Sequence, residues 1–266
     1  MKYLCYIRYV GTHFCGFQAQ KEKRTVQGTL TSILRAQLGE GVMVTGCSRT
    51  DSGVHADGFA LTVALPDGTL PIPPEKLPLA IAPWMPPDLS LYEARPVADG
   101  FHPRYDARGK EYRYTILRTP VHNPFYRDRA WQVYYPFLPD ALSRMNEAGR
   151  RLCGTHDFSA FRAEGSPTRS PVRTVFDCHV TKEGELYTVS VTGDGFLYNM
   201  VRIITGTLLS VATGKLSPDD VSRILDGRVR SRAGATAPPE GLCLARVMYD
   251  EADFEKTHRE ERTPID

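Results

Sequence analysis

The stretch "GCSRTDSGVHADG", residues 46 to 58, places a guanidinium, two carboxylates and an imidazole within thirteen positions. An aspartate with an ordinary pKa of about 3.9 is ionised at neutral pH and can act as a nucleophile. Arg49 lies two residues from Asp51 and can hold that carboxylate in its charged form. His55 follows four residues later. The stretch therefore has the residues for carboxylate chemistry in a short loop.

Two hydrolytic interpretations use the same residues. A metal site built from Asp51, His55 and Asp57 would need further ligands, and no His-rich or carboxylate-rich cluster elsewhere offers them. A Ser52–His55–Asp57 triad would have to align within a few consecutive loop residues, and the chain has no G-x-S-x-G elbow. Both interpretations are therefore weakly supported.

Two non-catalytic interpretations fit better on spacing. Residues 57–60, "DGFA", match part of a strand signature of RNA-recognition modules, without its leading basic residue and later aromatics. An ion pair between Arg49 and Asp51 in a turn is a purely structural alternative. Judged by spacing alone, the structural turn is favoured and the RNA-binding module remains open.

The periodicity on either side predicts how this loop is held. Residues 2–9, 42–45 and 59–65 predict strands, the first and third from their alternation of side chains. Thr25 is expected to cap a helix with an apolar stripe that ends at Gly39. Proline-rich residues 66–87 predict loop with a short helix, and 89–94 complete the first half. The loop around Asp51 is thus expected to join two strands and project from one end of a sheet.

A second set of elements follows from about Tyr105. Residues 110–117 predict a strand with Tyr112, Tyr114 and Ile116 on one face, and residues 142–152 predict a helix. Residues 172–181 and 185–192 are expected to form two strands that pair antiparallel. Residues 199–213 are expected to form an amphipathic helix, and residues 217–220 to begin another helix. Residues 242–248 are expected to form the last strand. These patterns predict an α+β protein of two domains, each a mostly antiparallel sheet with helices on one face. The predicted divisions are 1–104, 105–249 and an acidic tail, 250–266.

Composition excludes several classes of protein. The chain has 266 residues, 41% of them hydrophobic and 24% charged, which favours a packed core over disorder. No apolar run approaches the roughly 18 residues that a membrane span needs, and the N-terminus lacks a signal-peptide pattern, so a cytoplasmic protein is expected. Six scattered cysteines without a C-x-x-C pair predict buried thiols rather than disulfides or a zinc site.

Charge is unevenly distributed along the chain. Residues 250–266 contain seven acids and three bases, whereas residues 101–131 contain seven bases and three acids. The basic residues of that segment include Arg104 and Lys110, and four tyrosines are interleaved with them. Arginines beside aromatics suit phosphate contact and base stacking, although charge clustering alone is more typical of a solvated strand face.

The whole string "GCSRTDSGVHA" resembles the active-site motif of the TruA family of tRNA pseudouridine synthases, usually G-R-T-D-A-G-V-H-A. Further blocks resemble the family in the expected order: "YVGTHFCGFQAQ" with "RTVQGTL", "FHPRYDARGKEYRYTI", "GTHDFSAFR", "GFLYNMVRIITGTLL" and "APPEGLCLARVMY". The resemblance spans roughly residues 1 to 249. Ser48 and Ser52 depart from the usual Gly and Ala, but both are small and neither is the carboxylate.

The resemblance implies a pseudouridine synthase fold with an active-site cleft between the two domains. It also implies isomerisation of uridine to pseudouridine on the 3′ side of a tRNA anticodon stem-loop, at positions 38 to 40. The reaction oxidises nothing and transfers no group to another molecule, so neither a cofactor nor a metal is expected. The family works as a homodimer, with one tRNA crossing both subunits.

The resemblance also assigns roles to individual residues. Asp51 is the expected nucleophile, and Arg49 supports its charge and helps to hold the extruded nucleotide. Tyr112 is expected to lie against the target base, where it also assists in the loss of the C5 proton. Three further substrate-binding residues are expected. Arg202 would pair with Asp51, Leu242 would pack against the uracil, and His55 would order the loop by hydrogen bonding. Arg104 and Lys110 are also expected to bind substrate, because they lie in the segment expected to line an RNA channel.

Overall fold

The computed structural model describes residues 2–66, 68, 70–165 and 170–250. The predicted acidic tail therefore lies, beyond Asp250, outside the described residues. Ten strands are described: β1 (Lys2–Tyr9), β2 (Met43–Gly46), β3 (His55–Ala64), β4 (Leu89–Val97), β5 (Gly109–Arg118), β6 (Trp131–Val133), β7 (Gly154–Asp157), β8 (Val172–Glu183), β9 (Leu186–Gly193) and β10 (Leu242–Met248). The α-helices are α1 (Val26–Leu38), α2 (Leu77–Ile81), α3 (Ala141–Leu152), α4 (Met200–Ala212) and α5 (Pro218–Gly227).

The chain groups into two compact units, one containing residues up to Lys110 together with the chain from Leu244 onward, the other containing Glu111–Cys243. In the first unit the strand order is β4-β1-β3-β10, and β2 pairs with β3. The central strand β1 runs antiparallel to both neighbours, so that Cys5 lies opposite Leu61 on one side and Ala94 on the other. The division predicted from the sequence, 1–104 and 105–249, is contiguous. In the structure the first unit extends to Lys110, and the chain from Leu244, which includes most of β10, groups with it.

Helix α1 forms where its capping residues and apolar spacing predict it. The Thr25 side chain accepts a hydrogen bond from the Gly28 backbone N–H, and Gly39 with a φ of 115° ends the helix. The residues Val26, Leu30, Leu34 and Leu38 are buried along one face. Burying a leucine side chain contributes roughly 1.5–3 kcal/mol, so this apolar stripe fixes the helix to the unit more firmly than its cap does.

The second unit has the strand order β5-β9-β8-β7, with β6 pairing parallel to β5. The predicted antiparallel pairing of β8 with β9 is confirmed, with Cys178 opposite Val191. Helix α5 begins with the expected cap, in which Ser217 and Asp220 exchange hydrogen bonds. The description of α4 as amphipathic was wrong, because only Arg202 and Ser210 of its thirteen residues are not buried. Other segments of the unit cover its remaining face, including residues 234–237, which hydrogen-bond to Thr207 and Arg202.

The α+β fold class predicted from the sequence is confirmed. The short strands β6 and β7 were not predicted, because three or four residues are too few to establish a periodic pattern. All six cysteines are free thiols, and Cys5, Cys47 and Cys178 are buried. Across the described ranges, none of the helices has the length and apolar character needed to cross a bilayer.

Candidate active site

Residues 47–54, here called the Asp51 loop, connect β2 to β3. These strands pair antiparallel, with Gly46 opposite Leu61, so the loop emerges from one end of the sheet as predicted. Arg49 is exposed, Thr50 is buried and Asp51 is half-buried. The Val54 N–H donates to the Asp51 carbonyl at 3.2 Å, which closes a turn directly after the carboxylate. The loop thus presents Arg49 to solvent and holds Asp51 at the surface of the unit.

The segment between β1 and α1, residues 10–25, holds the Asp51 loop by backbone and side-chain hydrogen bonds. The Phe17 N–H donates to the Thr50 carbonyl at 3.2 Å. The Phe14 carbonyl accepts from the Gly53 N–H at 3.3 Å and from the Ser52 hydroxyl at 3.2 Å. Because these bonds come from a segment that is itself tied to β1 and α1, the loop has a defined conformation rather than that of a free hairpin turn.

Buried aromatic rings support the same region. The Phe17 and Phe59 rings stack with centroids 4.3 Å apart, and Tyr9 lies 5.9 Å from Phe59. The Tyr9 hydroxyl shares a hydrogen bond of 2.7 Å with the buried Thr50 hydroxyl. Aromatic pairs of this kind contribute about 0.5–1.5 kcal/mol beyond their buried area. Thr50 therefore anchors the Arg-Thr-Asp triplet to the aromatic cluster. The charged side chains of Arg49 and Asp51 take no part in this anchoring.

Two glycines allow the backbones of these segments to approach closely. A Cβ on Gly11 would lie 2.0 Å from the Val54 carbonyl oxygen, so no larger residue fits there without moving the loop. Gly16 has a φ of +83°, and a Cβ on it would lie 2.7 Å from the Thr50 carbonyl oxygen. The left-handed conformation of Gly16 is one that L side chains rarely adopt. Both glycines are needed for the same purpose, close contact with the Asp51 loop.

His55 is buried at the start of β3, and its Nδ1 accepts a hydrogen bond of 2.9 Å from the Gly11 N–H. A ring nitrogen that accepts a bond carries no proton, so the remaining proton lies on Nε2 and the ring is neutral. This geometry favours the ordering role that was predicted for His55. It gives no support to His55 as a metal ligand through Nδ1.

Lys110 differs from the other basic residues predicted to bind substrate, because its side chain is buried. Its Nζ donates to the Cys47 carbonyl at 2.8 Å, at the beginning of the Asp51 loop. Burial lowers the pKa of Lys110 below its usual value, and the nearby Arg104 charge acts in the same direction. Arg104 itself is exposed, with its guanidinium 6.0 Å from the Tyr105 ring.

The second unit contains the remaining predicted site residues. Tyr112 is 7% exposed and lies edge-on to Phe196 with centroids 5.2 Å apart, and Leu242 is 6% exposed. Tyr114 is a core residue, since its hydroxyl donates to the Pro238 carbonyl at 2.7 Å and burial raises its pKa. Of these residues Tyr112 and Leu242 keep slight exposure, whereas Tyr114 has none.

Arg202 is half-buried on α4 and is oriented by two neutral acceptors. Its Nε donates to the Ala237 carbonyl at 2.7 Å, and its Nη1 donates to Asn199 Oδ1 at 2.8 Å. Asn199 precedes α4 with a left-handed φ of 59°, a conformation that costs energy in a non-glycine residue. The role of Asn199 in orienting Arg202 was not predicted from the sequence. An asparagine directly before a predicted helix was the available signal.

A bidentate ion pair anchors the C-terminal end of the segment, residues 10–25, that holds the Asp51 loop. Arg24 donates to both oxygens of Asp88 at 2.7 Å, and its guanidinium also lies 4.0 Å from the centroid of the Phe14 ring. The hydrogen bond from Arg24 holds the pKa of Asp88 below its usual value. The pair connects the end of this segment to the residue directly before β4.

We expect Asp88→Asn to lower the free energy of unfolding by about 1 kcal/mol at pH 7. This value is at the upper end of the range for partly exposed ion pairs, because the geometry of the pair is bidentate. A lowered carboxylate pKa stabilises the fold above the unfolded-state value near 4, and this contribution is lost as the pH falls through the folded-state value. The difference between variant and wild type should therefore shrink from pH 7 to pH 3 in urea titrations. Glu185→Gln, which breaks the more exposed pair with Arg118, serves as the control. A difference that grows on acidification would contradict this assignment.

In the described stretches of the chain, no group of three or more His, Cys, Asp or Glu residues is arranged to hold a metal ion. The first unit thus carries a carboxylate and a guanidinium on an anchored loop. The second unit, taken by itself, carries the predicted tyrosine, arginine and leucine. A carboxylate can act as a nucleophile, and guanidinium groups are suited to binding phosphate.

A protein-family model described as tRNA pseudouridine synthase matches residues 6–106 and 148–250. These spans cover well over half of the chain, and the chain belongs to the tRNA pseudouridine synthase family. The matched residues include the Asp51 loop, Arg202 and Leu242, whereas Tyr112 lies between the two spans.

Similar curated proteins carry the more specific name tRNA pseudouridine synthase A. The one from Thermoanaerobacter sp. (strain X514) is 42% identical over 243 residues, which cover 91% of this chain and 97% of the relative. Those from Ruminiclostridium cellulolyticum and Bacillus licheniformis are 43% identical over 244 residues and 42% identical over 252 residues. They cover 91% and 94% of this chain, and 97% and 100% of the relatives, respectively. The resemblance to the TruA family inferred from the sequence is confirmed.

Proposed function

We propose that this protein is an isomerase that converts uridine to pseudouridine in the anticodon stem-loop of tRNA, with Asp51 as the nucleophile. The observation that carries the proposal is the anchored Asp51 loop, whose Arg-Thr-Asp triplet lies within the span matched by the family model. The relatives' name supports tRNA as the substrate. Positions 38 to 40 as targets and a homodimeric state are parts of the proposal that rest on the family resemblance. A cytoplasmic location is a further part, and it rests on the sequence pattern.

The reaction exchanges one bond for another on the same nucleotide. The Asp51 carboxylate forms a covalent link to the uridine while the bond between N1 and the sugar C1′ breaks. The uracil turns, C5 bonds to C1′, a proton is lost from C5 and another is gained at N1, and the carboxylate leaves. Because Asp51 returns to its starting state, the balance requires no oxidant, reductant or second substrate.

The loop geometry suits this sequence of steps. A nucleophile that must attach and then leave needs a fixed position, since displacement by about 1 Å can cost a factor of 100 in rate. The Thr50 hydroxyl and carbonyl are both bonded within the first unit, so the neighbouring carboxylate starts from an anchored backbone. Arg49 is exposed next to it and is proposed to bind the phosphate of the target nucleotide and to stabilise the charge on Asp51.

The target uridine must leave the stacked stem before a carboxylate can reach it. We propose that Tyr112 and Leu242 receive the flipped base and that Tyr112 assists removal of the C5 proton. Arg202 is proposed to pair with Asp51 during the reaction. Hydrogen bonds to Ala237 and Asn199 engage Nε and Nη1 and help to set the direction of the guanidinium.

The exposed arginines of the basic segment provide phosphate contacts that can be tested by salt dependence. Arg113, Arg118 and Arg127 form ion pairs with carboxylates. Arg104 and Arg129 are exposed, and neither forms an ion pair with another residue in the described regions. The charges of Arg104 and Arg129 are therefore the ones most available to RNA.

We expect Arg104→Gln and Arg129→Gln each to flatten the slope of log affinity against log salt concentration by about 0.7 to 0.9, the value for one phosphate contact. Arg118→Gln is the matched control, because Glu185 already neutralises Arg118, and its effect should be smaller. The measurement is tRNA binding across a salt series. If none of the three changes the slope, the basic segment is a solvated face and the RNA binds elsewhere.

The proposed function is tested directly by incubating the pure protein with an unmodified tRNA transcript and mapping pseudouridine at each position. Pseudouridine at one or more of positions 38 to 40 is the expected result. A modified uridine outside the anticodon stem-loop would overturn the proposed substrate site, and tRNA binding without any pseudouridine would overturn the assignment as an enzyme.

A further inference from the structure

Lys110 lies at the start of β5 with its side chain 9% exposed, and it contacts the beginning of the Asp51 loop. The Nζ donates to the Cys47 carbonyl at 2.8 Å. The Cys47 N–H in turn donates to the Ala60 carbonyl of β3 at 2.9 Å. Both backbone groups of Cys47 are therefore satisfied, one by the sheet and one by a lysine 63 positions further along the chain.

The surroundings of Lys110 make it costly for the fold. No carboxylate in the regions that the structure describes forms an ion pair with it. Burial lowers the pKa of Lys110, and the charge of Arg104, which has the same sign, lowers it further. Burial raises the pKa of the Cys47 thiol to about 11, so this group is neutral at neutral pH and does not balance the lysine charge. A buried, unpaired cation lowers the stability of the folded protein, whereas an apolar side chain at the same place would not. This combination is typical of residues retained for function.

The rest of the Asp51 loop is held by the segment of residues 10–25 and by Tyr9, through Thr50, Ser52, Gly53 and His55. All of these contacts fall at Thr50 or later in the sequence. At Cys47, the Lys110 bond fixes the carbonyl from which the chain turns towards Ser48 and Arg49. Lys110 therefore contacts the Asp51 loop at the point where the chain enters it.

We propose that Lys110 is a positioning residue for the isomerisation, which holds the entry of the Asp51 loop so that Arg49 and Asp51 reach the uridine together. This inference rests on the proposed function. It replaces the direct substrate contact predicted from the sequence, because the Lys110 ammonium is buried against a carbonyl. An amine donates to a carbonyl as an ammonium does, so the role does not depend on the protonation state of Lys110.

The test compares Lys110→Met, which keeps most of the length of the side chain but has no donor, with Lys110→Arg, which keeps donors at the end of the side chain. Release of tritium from 5-tritiated uridine in a tRNA transcript gives kcat and KM, and hydrogen exchange followed by mass spectrometry reports on the peptide covering residues 47–51. We expect Lys110→Met to lower kcat by about 10- to 100-fold with KM changed less than about threefold. Exchange in the peptide should be faster, and Lys110→Arg should recover kcat to within about fivefold of wild type.

Each outcome decides the proposal. A folded Lys110→Met protein with unchanged kcat, or with raised KM alone, would overturn it, the latter in favour of direct tRNA contact. If Lys110→Met does not fold, Lys110→Gln is examined in the same way. Failure of both to fold while Lys110→Arg folds would assign Lys110 to overall stability instead. If wild type releases no tritium, the proposed function fails. If hydrogen exchange of residues 47–51 is unchanged in the folded variant, the proposal that Lys110 holds the entry of the Asp51 loop is refuted independently.

Discussion

Asp51→Asn is expected to reduce pseudouridine formation below detection while the protein folds and binds tRNA normally. Asparagine keeps the size of the side chain but cannot form and release the covalent link that the reaction needs. Enzymatic accelerations of about a million-fold or more depend on the reacting group, so we expect a loss of at least about 10,000-fold. Affinity for tRNA should be equal or slightly higher, because one charge that repels phosphate is gone.

Asp57→Asn is the matched control for this prediction. Asp57 belongs to the same sequence motif, loses the same charge and is exposed in a 3.4 Å ion pair with Arg8. Its activity should remain near that of wild type. Tritium release, tRNA binding and thermal melting are measured for all three proteins. Near-normal release from folded Asp51→Asn would refute the nucleophile assignment, and loss of binding together with activity would indicate a loop that only shapes the surface.

Gly11→Ala is expected to have the second-largest effect on activity, although Gly11 has no chemistry of its own. The added Cβ would lie 2.0 Å from the Val54 carbonyl oxygen and 2.5 Å from its carbon, so the backbone of the Asp51 loop must move by about 1 Å or more. The Gly11 N–H also donates to His55, and this bond would be strained. We expect a fall in kcat of about 100-fold and a loss of about 1–3 kcal/mol in the free energy of unfolding.

Gly100→Ala is the control, because a Cβ at Gly100 meets no atom within 4 Å. Activity is measured at a temperature where circular dichroism shows both variants to be folded. The kcat of Gly100→Ala should equal that of wild type. Full activity and an unchanged melting temperature for Gly11→Ala would show that the Asp51 loop can shift without consequence, which would remove the argument that its anchoring serves catalysis.

The site residues differ in how far the sequence could predict them. The position of the Asp51 loop between β2 and β3 was predictable, because alternating side chains reveal a strand and a run of small residues reveals the turn. The roles of Arg202 and Asn199 were less accessible, since the orientation of Arg202 depends on the Ala237 carbonyl, 35 residues away. Nothing in the local pattern around Arg202 indicates that partner.

The amino-acid sequence was sufficient to predict the capped helices α1 and α5, the β8–β9 pairing, the α+β class and the motif that carries Asp51. These features depend mainly on residues close together in the sequence. The spacing of apolar residues and the capping residues can therefore be read from the sequence directly. Tertiary structure alone decided that Lys110 is buried against the Cys47 carbonyl, that Arg24 pairs with Asp88 across 64 positions, and that β10 joins the first unit. The physical reason is that burial and hydrogen-bond partners depend on which distant segments pack together. The residues next to a side chain in the sequence do not indicate which distant residue it will contact.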